Sequence, residues 1–77
     1  MTNGDIARKL RERAAELARD GDNLYRIRAF RQAAFAVMGL EDEIERLVTL
    51  GGPKVLERVP GIGKSLSETI AEFAMNC

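Results

Sequence analysis

Seventy-seven residues with 12 basic and 12 acidic side chains read as one small, formally neutral domain spanning residues 1–77. A chain this short buries about 60–65% of the surface its unfolded form exposes, enough for a modest core and a groove but tight for a deep, walled active site. Histidine, the commonest general base near neutral pH, is missing, and the single cysteine is the last residue, Cys77, so no intrachain disulfide forms. No apolar run reaches the length of a signal peptide or a membrane span. The expected setting is intracellular, cytoplasmic if the source is bacterial, with no membrane partner.

The first element is a helix with Ile6, Leu10, Ala14 and Leu17 along one face. Thr2 or Asn3 caps it, Asp5 suits its positive end, and Gly21 supplies a left-handed stop. Asn23 caps a second helix with Ile27, Phe30, Ala34 and Val37 as its apolar stripe, ended by Gly39. Glu41 to Leu50 reads as a third, shorter helix, with Ile44, Leu47 and Val48 inward and acids at its N-terminus. Gly51 and Gly52 break the chain, and Pro53 opens a short fourth helix that Pro60 ends. A fifth runs from about Gly63 to Met75, with Leu66, Ile70 and Phe73 on its apolar side. No segment alternates with strand period, so the fold class is all-α, a bundle of about five helices.

The neutral total hides an uneven distribution. Arg8, Lys9, Arg11, Arg13, Arg19, Arg26, Arg28 and Arg31 stand against Glu12, Glu16, Asp20 and Asp22, whereas Glu41, Asp42, Glu43 and Glu45 face only Arg46. The helix-one charges pair at helical spacing, as in Arg8–Glu12 and Arg13–Glu16, and read as a solvated face. On the second helix Arg28 and Arg31 project about 60° apart while Arg26 lies about 160° from Arg28, so the three do not share one phosphate track. The acids at 41–45 read as a solvated helix start rather than a metal site.

Val59-Pro60-Gly61-Ile62-Gly63-Lys64-Ser65 is the most informative segment. Pro60 stops the short helix, Gly61 takes a φ that a β-carbon resists, Ile62 tucks between the flanking helices and Gly63 lets another backbone approach. The N–H groups opening the next helix lack internal partners, and with Lys64 they form a phosphate cradle that reads DNA shape and charge rather than bases. Gly63-Lys64-Ser65 also ends a nucleotide-binding P-loop, but that motif needs a glycine where Arg58 stands and a strand where the pattern is helical.

The hairpin matches the helix-hairpin-helix consensus. Together with Asn3-Gly-Asp-Ile-Ala-Arg-Lys-Leu10 and Gly21-Asp-Asn-Leu-Tyr-Arg-Ile-Arg-Ala-Phe-Arg-Gln-Ala-Ala34, it resembles the N-terminal, DNA-polymerase-beta-like domain of family X DNA polymerases over nearly the whole chain. The resemblance implies binding at the downstream side of gapped DNA and capture of the 5′-phosphate. Arg26 would be the phosphate ligand, Tyr25 and Phe30 would lie near the DNA end, and Lys64 would sit beside the hairpin. It also implies a monovalent cation, Na+ or K+, on the backbone carbonyls of Glu57, Val59 and Ile62; no other cofactor is required.

Several members of that family excise a deoxyribose phosphate through a lysine Schiff base. The matching position here is Thr69, which has no amine, and another basic position of the family is Ser65. Lys64 is about 140° from Thr69 around the helix and does not substitute. The expectation is therefore a non-enzymatic, sequence-nonspecific DNA-binding module using Gly61, Ile62, Gly63, Lys64, Ser65, Arg26, Tyr25 and Phe30. Its DNA partner would be gapped, single-stranded or duplex, which would make it nucleoid-associated in a bacterium, with a polymerase or repair protein as a further partner. The rival readings are a protein–protein adaptor that keeps the fold and the N-terminal domain of a longer repair polymerase. Cys77 reads as an exposed thiol with no role.

Overall fold

The computed structural model describes residues 1–75, and those residues form helices joined by short turns, with no strand among them. Cys77 lies outside the described residues. Helix α1 (Asn3–Arg19) opens on a capping box: Asp5 N–H donates to the Thr2 hydroxyl, and Thr2 N–H donates back to the Asp5 carboxylate. Helix α2 (Leu24–Met38) is capped by Asn23, whose side chain accepts from Tyr25 N–H at 2.7 Å. Gly21, at φ +72°, turns the chain between them. The two helices pack as a hairpin, burying Ile6, Leu10, Ala14 and Leu17 against Ile27, Phe30, Ala34 and Val37.

Helix α3 (Ile44–Gly51) starts later than the run of acids predicts. The reason is a long-range clasp. Asn3 donates its side-chain amide to the Asp42 carbonyl at 2.9 Å and accepts from Ile44 N–H at 2.8 Å. Its own N–H donates to Glu43. The N-terminal ammonium of Met1 meets Glu45 at 3.0 Å. Glu43 and Glu45 thus tie the chain start to α3, beyond favouring a helix dipole, while Glu41 and Asp42 stand in a bend before it. Ile44 and Val48 are buried as the pattern predicts, and Leu47 is half-buried.

The short fourth element is a 3₁₀ helix, Pro53–Arg58, rather than an α-helix. Only seven residues lie between Gly52 at φ +76° and Pro60, too few for much of an α-helical ladder, and six of them take the tighter i→i+3 pattern. It contributes Leu56, fully buried, to the core. Helix α4 (Lys64–Met75) then adds Leu66, Ile70, Ala71 and Ala74. Lys9 of α1 sits 5.5 Å from the centre of the Phe73 ring and links the first and last helices.

Candidate nucleic-acid interface

The turn between the 3₁₀ helix and α4 is built on backbone demands. Val59 N–H closes onto the Leu56 carbonyl, and Ile62 N–H donates to the Val59 carbonyl at 3.0 Å. Gly61 between them has φ +94°, which a side chain rarely adopts. A β-carbon there would stand 3.5 Å from both the Gln32 carbonyl oxygen and the Ala36 methyl, so the turn lies against α2. Ile62 is only 4% exposed and anchors the turn in the core, a burial contributing about 1.5–3 kcal/mol.

Anchoring the turn fixes the start of α4 in the open. Gly63, Lys64 and Ser65 are exposed. Gly63 has no side chain to cap the helix, and no acid occupies the first turn. This differs from α1 and α2, whose first amides are taken by Thr2 and Asn23. The N–H groups of Lys64, Ser65 and Leu66 precede the first intrahelical donor and point outward with the positive end of the dipole. Within the helix, Ser67 is buried and donates its hydroxyl to the Lys64 carbonyl at 2.6 Å, holding the first turn.

A concavity of about 710 Å³ lies between this helix start and α2. Arg26, Ala29, Phe30 and Gln32 line one side, and Gly61 to Leu66 with Thr69 line the other. Arg26 and Lys64 therefore face one space although they come from separate helices. Arg26 is restrained by Asp22, with Nη1 3.6 Å from Oδ2. Phe30 is a core residue, 6% exposed, and forms the floor rather than an open stacking surface at a DNA end. Tyr25, 84% exposed and outside the lining, is the free aromatic of that first turn. Gln32 enters the site without a prior signal, because its role comes from the packing of Gly61 on α2.

Thr69 also lines the concavity, and its hydroxyl donates to the Ser65 carbonyl at 3.3 Å. Among the described residues no group of His, Cys, Asp and Glu side chains is arranged to hold a metal ion. The expected cation ligands at Glu57, Val59 and Ile62 are backbone carbonyls. Val59's accepts from Ile62, while Pro60 has no N–H to offer the Glu57 carbonyl at i→i+3. The segment before the turn is helical, which removes the P-loop reading.

The family profile described as "Helix-hairpin-helix domain" matches residues 1–76. The chain belongs to that helix-hairpin-helix family. It is accordingly a nucleic-acid-binding module, with DNA as the partner of its motif. Searches of curated proteins and of solved structures return no significant match. No helix among the described residues is long and apolar enough to cross a membrane.

Proposed function

We propose that this helix-hairpin-helix domain binds DNA without regard to base sequence and favours a gap or end that carries a 5′-phosphate. The observation that carries the reading is the convergence of Arg26, Lys64 and the uncapped amides of α4 on one concavity. Backbone N–H groups and two cations recognise phosphate oxygens and leave the base edges unread. A terminal phosphate monoester carries about −1.5 to −2 charges near neutral pH, against one for a diester within the chain. The same cations and dipole thus attract an end more strongly than a continuous backbone. Tyr25, exposed next to Arg26 in sequence though outside the concavity, would stack on a base near that end.

Thr69 stands where an imine-forming lysine would be needed, and we read the domain as non-catalytic. The carbonyls of Glu57, Val59 and Ile62 would hold a monovalent cation; in favour of this, Pro60 leaves the Glu57 oxygen without its i→i+3 donor, while the Val59 oxygen also accepts from Ile62 N–H. When bound, Na+ or K+ would add positive charge beside the phosphate. Few phosphates fit the site, so affinity should lie within roughly 10⁻⁴–10⁻⁶ M and fall with salt.

Titrating labelled DNA at two salt concentrations tests this. The substrates are a gapped duplex with a 5′-phosphate, the same duplex with a 5′-hydroxyl, an intact duplex and a single strand. The phosphorylated gap should bind several-fold more tightly than the others. Equal affinity for the two gapped substrates would refute the end preference, and no binding at low salt would refute the whole reading.

A further inference from the structure

A second surface of the molecule is unrelated to the phosphate concavity. Leu24, Arg28, Arg31, Phe35 and Met38 recur at four, three, four and three residues along α2, so they form one stripe about 21 Å long. The stripe is not core. Leu24, Phe35 and Met38 are 67%, 84% and 56% exposed. Phe35, Met38 and Arg31 line an apolar groove of about 330 Å³ together with Arg11 of α1, and none of these residues lines the phosphate concavity.

Among the described residues the cations of this face lack acidic partners, as does Arg19 at the end of α1. Arg8, Arg13 and Arg26 each have an acidic partner, whereas Arg11, Arg28 and Arg31 have none among the described residues. No acid lines the groove. The surface therefore combines exposed apolar groups, at the spacing that meshes with another helix, with unpaired positive charge beside them.

We propose that this face of α2 docks a partner segment that forms an amphipathic helix, with acidic side chains flanking its apolar stripe. A helix laid along the stripe places apolar residues against Leu24, Phe35 and Met38 at matching intervals, and its carboxylates meet Arg11, Arg28 and Arg31. A second copy of this chain fits poorly. Antiparallel pairing of two such stripes about their middle sets Arg31 against Arg31, and like charges oppose it. Single-stranded DNA fits poorly too, because a stacking track needs successive aromatic platforms and the stripe has one, between aliphatic groups. The proposal is independent of the DNA-binding reading, since the two faces share no residue.

The test uses the full chain and two labelled helical peptides, one with leucine at heptad spacing flanked by glutamate, the other with lysine in place of glutamate. The glutamate peptide should bind at least tenfold more tightly. Phe35→Ser should cut that binding at least tenfold, and Arg31→Glu should reverse the preference between the peptides. Both positions are exposed, so thermal melting should stay near wild type, and Phe35→Ser should leave phosphorylated-DNA binding unchanged. Equal binding of the two peptides, or indifference to Phe35→Ser, overturns the proposal. Displacement of the glutamate peptide by labelled oligothymidine, with oligothymidine binding lost in Phe35→Ser, overturns it in favour of a nucleic-acid surface.

Discussion

Asp22 holds Arg26 by an ion pair one helical turn apart, with 3.6 Å between Nη1 and Oδ2. The concavity thus contains a cation already engaged by a neighbouring carboxylate, and a phosphate bound there as proposed would compete with Asp22 for the guanidinium. The pair is substantially solvent-exposed, which places its strength at about 0.2–1 kcal/mol.

Asp22→Asn should therefore tighten DNA binding by about 1.4- to 5-fold, the range that such an exposed pair spans. Asparagine keeps an oxygen to accept the Asn23 N–H, so the turn before α2 is retained. Fluorescence anisotropy on phosphorylated gapped DNA reads the effect. Weaker binding in Asp22→Asn would mean that Asp22 positions Arg26 for phosphate rather than competing with it.

Gly61 and Gly63 should separate folding from binding. Gly61→Ala places a β-carbon at φ +94°, and the cost should be about 1–2 kcal/mol of stability. The neighbours at 3.5 Å add little, since that is ordinary contact. Gly63 lacks positive φ, and a β-carbon there meets nothing within 4 Å, so Gly63→Ala should cost only the N-cap preference of glycine over alanine, less than about 1 kcal/mol. It should still weaken DNA binding, because the proposed site brings the DNA backbone against that position. Chemical denaturation and anisotropy on the same variants check both halves.

Much of this architecture is legible from local rules. Thr2 and Asn23 are caps by residue type, and Pro60 with Gly61 mark the turn whichever helices flank it. The core stripes of α1 and α2 follow from their spacing. The start of α3 does not, because it is set by Asn3, forty residues away in sequence, through hydrogen bonds that no local pattern carries. The Lys9–Phe73 contact is equally long-range. Of the site, the helix-start amides and Lys64 can be read from the turn itself. The approach of Arg26 comes only through resemblance, since helical geometry says where Arg26 points and not which helix it meets. The burial of Phe30 overrides its place beside Arg26, because the α2 core stripe claims it. The Leu24–Phe35–Met38 stripe is hidden from periodicity for the opposite reason: its spacing fits a buried face, and only the packed structure shows it open.

The capping box predicts an acid-sensitive start to α1. Hydrogen bonds from the Thr2 backbone and hydroxyl hold the Asp5 carboxyl below its ordinary value of 3.8, with the Arg8 charge adding to the effect. A lowered folded-state value stabilises the fold above the unfolded pKa and loses that effect as pH falls through the folded value. Thr2→Ala should cost about 1 kcal/mol near neutral pH through the lost cap. The difference from wild type should narrow below pH 3.8, as Asp5 takes up its proton. Urea unfolding of the two proteins at several pH values measures this, and a gap that widens in acid would contradict it.

Thr69 makes a chemical prediction. Borohydride treatment of the domain with abasic, 5′-nicked DNA should trap no covalent adduct, because no amine occupies that position. Mass spectrometry of the mixture reads the outcome. An adduct on Lys64 would show that this side chain reaches around α4 despite the angle between the two positions.

The central claim is that phosphate sits against the open start of α4, between Lys64 and Arg26. Amide chemical-shift mapping with 5′-phosphorylated gapped DNA at low salt tests it most directly. The account predicts the largest changes at the amides of Gly63, Lys64 and Ser65 and at the Arg26 side chain, with binding strongly weakened in Lys64→Glu. DNA that binds while leaving those amides unmoved would contradict it.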